Sequence, residues 1–137
     1  MRRGGSAIAL PPAAPARYPA GMTETETGQT IVTLPERKAR EAARRTEAVA
    51  RVSERLAAYA RAHGGRYLVY GSAARGEMRF DSDLDILVDF PPALHAESWR
   101  FAEDACAQAG LPADIRPYAW CSDRFLAHVS QDWTVLS

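Results

Sequence analysis

Two short apolar runs, Tyr67-Leu68-Val69-Tyr70 and Leu84 to Phe90, bracket a polar segment that opens on Gly71-Ser72 and ends on Asp83-Leu84-Asp85. Aromatic and β-branched residues bounded by glycines read as a buried strand. The second run is a strand stopped by Pro91-Pro92. Side chains alternate along a strand, so Asp83 and Asp85 project to one face while Leu84, Ile86, Val88 and Phe90 project to the other. At roughly 3.3 Å per residue, the two aspartate Cα atoms lie about 6.5 to 7 Å apart, within reach of one hard cation. An acidic turn entering a strand accounts for Asp81. It does not account for Asp85, a charge inside an apolar run.

Gly71-Ser72 follows directly on a buried strand. Glycine allows a sharp turn and close approach to a phosphate, serine adds a hydroxyl, and a short helix expected from Ala73 would aim its first N–H groups at the anion. Arg75 and Arg79 are candidate phosphate contacts, with surface solvation as the alternative. Magnesium is commonly held by one or two carboxylates plus substrate phosphates, so the aspartate pair implies a bound nucleotide. Two other motifs fail. Gly71 to Gly76 has the GxxxxG of a P-loop, but Glu77 and Met78 stand where Lys and Ser/Thr are required. Asp81, Asp83 and Asp85 match the start of a calcium loop, but Ile86 replaces its glycine and Pro92 its final glutamate.

The flanking sequence places these segments in an α/β or α+β domain. Thr33-Leu34-Pro35-Glu36 has capping-box spacing, and Val49, Val52, Leu56, Tyr59 and His63 recur at helical intervals until Gly64-Gly65. His63 is expected as a last-turn residue rather than a ligand. A second helix is expected over about 94 to 109, with Trp99, Phe101, Ala102 and Cys106 near one face. A third strand is expected from Ala113 to about Tyr118. Ser122 is positioned to cap a last helix containing Phe125, Leu126 and Val129. Residues 29 to 33 suggest a further short strand.

With 137 residues, 47% of them hydrophobic, the chain suits one domain. Residues 1–28, rich in Ala and Pro, are expected to be disordered, with Met22 an alternative start, and residues 29–137 to form the domain. No apolar run reaches the roughly 20 residues of a membrane span, and the N-terminus lacks a secretory signal, which gives a cytoplasmic expectation. Cys106 and Cys121 have no zinc-like spacing and are read as free core thiols. Net charge is zero, but residues 1–76 carry +7 and residues 77–137 carry −7. The acidic half suits divalent cations, and the basic half suits phosphates or an acidic partner, unless it is simply a solvated helix face. Basic residues without interleaved aromatics, and a single lysine, Lys38, argue against nucleic acid.

Gly71-Ser72, ten intervening residues and Asp83-x-Asp85 resemble the signature of the DNA polymerase β-like nucleotidyltransferase superfamily. Gly71-Ser72-x-Ala74-Arg75-Gly76 with Ser82-Asp83-Leu84-Asp85 is similar to the minimal nucleotidyltransferases of bacteria and archaea, over about residues 36 to 137 in element order. The resemblance implies a nucleotidyltransferase fold, a small mixed β-sheet flanked by helices. It implies Asp83, Asp85 and a third carboxylate, Asp114, as catalytic and metal-binding residues of a two-ion magnesium site in the family's manner; Gly71, Ser72, Arg75 and Ser82 would bind nucleotide. By alternation Arg116 and Tyr118 share the face of Asp114. The resemblance further implies an EC 2.7.7-type transferase using ATP. Minimal members are often encoded beside a HEPN-domain RNase toxin and adenylylate its tyrosine, so a protein adenylyltransferase acting as an antitoxin is expected. The acceptor site would then come from the partner, to which the helix over 36–63 could contribute. A small-molecule, antibiotic-type nucleotidyltransferase and a non-catalytic antitoxin or binding module are the alternatives.

Overall fold

Alanine sets how closely the first helix approaches the sheet. In the computed structural model, which describes residues 32–137, helix α1 (Leu34–His63) buries Ala48, Val52, Leu56 and Ala60. A strict four-residue spacing produces this stripe, and small residues at both ends let the helix lie flat on the strands. Sequence periodicity finds Val52 and Leu56 but adds Val49 and Tyr59, which flank the stripe and are only partly buried, and misses the two alanines. Gly64, at φ +75°, ends the helix. Its N–H and that of Gly65 both donate to the Ala60 carbonyl, satisfying a helix-end acceptor. His63 is the last helical residue, stacked on Tyr59 with ring centroids 4.0 Å apart.

The chain continues through β1 (Arg66–Tyr70) and β2 (Leu84–Asp89). A 3₁₀ turn at Pro92–Leu94 leads into α2 (His95–Gln108). Then come β3 (Ala113–Pro117), a second 3₁₀ turn (Tyr118–Trp120), α3 (Asp123–Val129) and β4 (Thr134–Leu136). The sheet order is β3-β2-β1-β4. β1 pairs antiparallel with β2 and β4, whereas β2 and β3 run parallel. The fold is therefore α+β with a mixed four-stranded sheet, and residues 35–137 make one compact unit.

The two sheet faces do different work. Tyr67, Val69, Leu84, Ile86 and Val88 join the buried residues of α1 and α2 in the main core. Leu68, Tyr70 and Leu87 face the other way and pack with Val129, Phe125 and Leu126 of α3. As the alternation requires, Asp85 shares this second face with Leu87, and Asp114 and Arg116 lie on it while Ala113 and Ile115 turn to the main core. The shorter α3 covers the second face only in part, and polar groups at its strand ends can meet solvent there.

One expectation falls mostly outside the described residues, one changes, and one strand was not anticipated. The segment 1–28 and residues 29–31 of the expected strand lie outside the described residues, and Val32 and Thr33 are not in a strand. No helix follows Gly71-Ser72: residues 71–76 are successive turns. A helix there fails because Gly76 takes φ +70° and the Glu77 N–H reaches back to the Ser72 carbonyl at 2.8 Å, closing the loop after one turn. Third, Thr134–Leu136 forms an edge strand on β1 that a three-residue segment cannot announce by periodicity. Ser122 does cap α3, accepting from the Phe125 N–H at 3.1 Å. Among the described residues no helix is long and apolar enough to cross a membrane.

Candidate active site

Strand register assembles the candidate residues. Tyr70, the last residue of β1, lies opposite Asp85, and Asp85 lies opposite Asp114. One row across three strands thus carries a tyrosine and two carboxylates on the face covered by α3. Asp83 is exposed, one residue ahead of β2. Gly71 continues from Tyr70 at φ +73°, and a Cβ added to it would stand 2.5 Å from the Asp85 Oδ2. Only glycine fits there, on grounds of both conformation and space.

Asp85 is half-buried, and its carboxyl is pushed above the usual range. Burial is the main cause, followed by the negative charges of Asp114 and Asp83; Arg116 and Arg75 oppose the shift. Asp114 is paired with Arg116, Nη2 to Oδ2 at 3.0 Å, and both side chains are about half exposed. Arg116 also sits 5.5 Å from the Phe125 ring centroid, a cation–π distance. Sequence alternation places Arg116 beside Asp114; the ion pair supplies the reason it matters.

The phosphate-turn candidates are held by replaceable partners. The Ser72 hydroxyl donates to the Met78 sulfur at 3.7 Å, a weak acceptor. Arg75 pairs with Glu77 at 2.9 Å and with Asp132 at 3.7 Å across exposed surface, where ion pairs contribute little. Ser82 is more firmly committed. Its Oγ accepts from the Arg79 N–H at 2.9 Å, and its carbonyl accepts from Arg45 at 2.8 Å, anchoring the turn before β2 to α1. Arg79 is exposed and pairs loosely with Asp81 at 3.7 Å.

A cavity of about 290 Å³ opens beside Asp85, bounded by Tyr70, Gly71 and Arg75 on one side and by Phe125 and His128 of α3 on the other, with Asp132 beyond. Sequence reading did not single out Tyr70 or His128. His128 falls three residues after Phe125, so same-face helical spacing was the available signal. Tyr70 precedes Gly71 directly, but it reads as an ordinary strand aromatic. Its hydroxyl is buried with no hydrogen-bond partner, whereas the Tyr67 hydroxyl on the opposite face donates to the Ser98 carbonyl at 2.7 Å. Cys106 is buried as expected, and Cys121 is partly exposed; both are free.

The residues also bear on magnesium. The donors are carboxylate oxygens, which suit a hard cation, and the like charges of Asp83, Asp85 and Asp114 favour one being bound among them. As placed, no group of three His, Cys, Asp or Glu side chains among the described residues is close enough to hold an ion. Asp83 and Asp85 with substrate phosphates would fit the usual magnesium set, and Asp114 would complete it only by giving up its pair with Arg116.

A glycine turn set against an acidic strand row on an α+β sheet marks a scaffold for handling phosphate esters. The family model for the nucleotidyltransferase domain matches residues 49–125, more than half of the chain, and spans the second half of α1 through the start of α3. The chain belongs to the nucleotidyltransferase domain family, and its chemistry is nucleotidyl transfer. No curated protein matches it.

Proposed function

We propose that the protein is a magnesium-dependent adenylyltransferase that moves AMP from ATP to a hydroxyl of a partner protein. The specific partner we infer is a HEPN-type RNase toxin modified on tyrosine, with this chain acting as its antitoxin. The observation that carries the catalytic part is the contact between the Gly71 turn and Asp85, with Asp114 in register beside it. A phosphate held by that turn has its α-phosphorus next to the carboxylate row.

The Gly71 backbone and the Ser72 hydroxyl hold the β- and γ-phosphates, and Arg75 exchanges Glu77 for phosphate oxygen. Asp83 and Asp85 bind magnesium together with the nucleotide, and Asp114 orients the acceptor hydroxyl. Magnesium, when bound, stabilises charge on the phosphoryl oxygens and lowers the pKa of that hydroxyl. The acceptor oxygen forms a bond to the α-phosphorus as the bond to the bridging oxygen breaks. Its electron pair leaves on pyrophosphate, and the hydroxyl proton passes to Asp114.

The cavity beside Asp85, about 290 Å³, is at the small end of ligand pockets, which run from about 300 to 1,000 Å³. It accommodates part of a nucleotide and no second substrate. This supports an acceptor presented by another molecule. The test is incubation of the protein with ATP labelled on the α-phosphate, magnesium and the HEPN-domain candidate, followed by intact-protein mass analysis. An AMP adduct on a partner tyrosine is expected, and it disappears with Asp83→Asn or Asp85→Asn. Full activity in either variant overturns the assignment. Modification of an aminoglycoside-type molecule with no protein partner would replace the acceptor class.

A further inference from the structure

Beyond Asp114 the chain leaves β3, passes through the 3₁₀ turn at Tyr118–Trp120 and returns as α3. This path encloses a second cavity of about 410 Å³, lined by Arg116, Pro117, Trp120, Cys121, Ser122 and Phe125. Three of these present flat surfaces. The Trp120 side chain is 82% exposed, and the Arg116 guanidinium lies over the half-buried Phe125 ring at 5.5 Å. A large aromatic left in water beside a guanidinium is a stacking platform for a planar ring.

Sheet order fixes where this cavity lies relative to the proposed chemistry. β2, bearing Asp85, runs between β1, which feeds the Gly71 turn, and β3, which carries Asp114 and Arg116. The phosphate turn and the second cavity are therefore on opposite sides of Asp85. In-line displacement puts the attacking and leaving oxygens on opposite sides of the phosphorus. With pyrophosphate departing at the Gly71 turn, the acceptor arrives from the β3 side, where the cavity opens.

A further observation points the same way. The Tyr70 hydroxyl is buried without a partner, and its ring meets Phe125 edge-on at 5.5 Å. Phe125 borders both cavities. The partition between them thus carries an unused donor, next to the strand row that holds Asp114. Buried hydroxyls are nearly always bonded.

We propose that this second cavity is the acceptor subsite and receives a planar aromatic ring bearing the attacking hydroxyl, a phenol, stacked on Trp120 with its oxygen directed towards Asp114. This rests on the reading of the Gly71 turn as the phosphate cradle. The same platform would also suit a nucleobase, and the experiment separates the two sources.

The full-length protein, labelled with ¹⁵N, is titrated separately with N-acetyltyrosinamide and with adenosine while the indole N–H signals of Trp99, Trp120 and Trp133 are followed. N-acetyltyrosinamide is expected to shift Trp120 more than the other two, and adenosine to leave it in place. A Trp120 response to adenosine but not to N-acetyltyrosinamide, or to neither, overturns the proposal. AMP transfer to N-acetyltyrosinamide is then measured as pyrophosphate release. Trp120→Ala is expected to raise KM for this acceptor at least about tenfold, the loss of one stacking contact, with KM for ATP unchanged and with rescue by Trp120→Phe. Trp120 is exposed, so the substitution spares the core. Transfer with an unchanged acceptor KM in Trp120→Ala overturns the subsite and leaves the transferase standing. Ring binding at Trp120 without transfer to any acceptor would leave a ring-stacking site at Trp120 but overturn both its acceptor role and the transferase reading on which that role rests.

Discussion

Gly71 and Asp85 are built into one another: the space a Cβ would take on the glycine is filled by the Oδ2 of the aspartate, 2.5 Å away. Gly71→Ala therefore does two things at once. It forces an alanine into a left-handed conformation at φ +73°, a strain of roughly 1 kcal/mol or more, and it pushes the Asp85 carboxylate from its place. Denaturant unfolding is expected to show a loss of about 1–3 kcal/mol. Nucleotidyl transfer, assayed under conditions where the variant is fully folded, is expected to fall by about 100-fold or more, since small misplacements at a reacting centre have effects of that order. Retention of activity in the folded variant would separate the turn from the chemistry.

Asp85→Asn should move stability and activity in opposite directions. The ordinary carboxyl value is raised in the fold by burial and by the charges of Asp114 and Asp83. A raised carboxyl favours the protonated form, so its contribution is present at low pH and is lost as pH rises above the ordinary carboxylate range. At neutral pH the ionised group destabilises the metal-free fold, and a neutral amide of the same shape relieves this. Thermal unfolding in chelator is expected to occur at a higher temperature for Asp85→Asn than for the parent, while transfer is abolished. A lower unfolding temperature would show that the carboxylate is structurally required.

These relationships were legible in the sequence to different depths. The glycine turn, the aspartate spacing and the alternation of β2 are local, and a period of two residues places Asp83 and Asp85 without knowledge of any neighbour. The parallel pairing that sets Asp114 beside Asp85 is not local: it depends on the crossover through α2, and it was available only through the family resemblance. Arg116 could be placed on the face of Asp114, but not bonded to it. Val52 and Leu56 of the buried α1 stripe were legible, but its two ends, Ala48 and Ala60, were not, because periodicity weights large apolar residues, whereas close approach of a helix to a sheet selects small ones. The short helix expected from Ala73 was wrong because the glycine at 76 and the reach of the Glu77 N–H back to Ser72 end it within a turn.

Gly65 offers a control for the Gly71 substitution. It precedes β1, at the far end of that strand from the Gly71 turn, and the Phe90 ring lies where its Cβ would be. Gly65→Ala must displace a ring that packs on Tyr67 at 5.0 Å and Tyr59 at 5.9 Å. An overpacking cost of roughly 1–3 kcal/mol is expected in denaturant unfolding, with transfer by the folded fraction unchanged. Equal losses of activity in the two glycine variants would mean that both act through global stability alone.

The two tyrosines of β1 give the last prediction. Tyr67 and Tyr70 are both buried, yet only Tyr67 has a hydrogen-bond acceptor. Removing the Tyr67 hydroxyl deletes its bond to the Ser98 carbonyl, whereas removing the Tyr70 hydroxyl deletes an unsatisfied group. Tyr67→Phe is therefore expected to destabilise the free protein by about 1 kcal/mol and Tyr70→Phe to stabilise it by a similar amount, opposite signs from the same chemical change. Their alkaline behaviour follows from the same burial. Desolvation pushes the Tyr70 phenol up to about 12, with Asp85 and Asp114 adding to the shift against the opposing charge of Arg116, and burial raises Tyr67 further still. A raised phenol contributes stability that is complete below the ordinary tyrosine value and is lost as pH rises towards the folded value. Ultraviolet titration should thus show the Tyr67 and Tyr70 phenols ionising above the ordinary tyrosine value, with unfolding accompanying these steps. In Tyr70→Phe the alkaline unfolding transition should move to higher pH; a transition that stays in place would mean that Tyr70 ionises without loss of the fold.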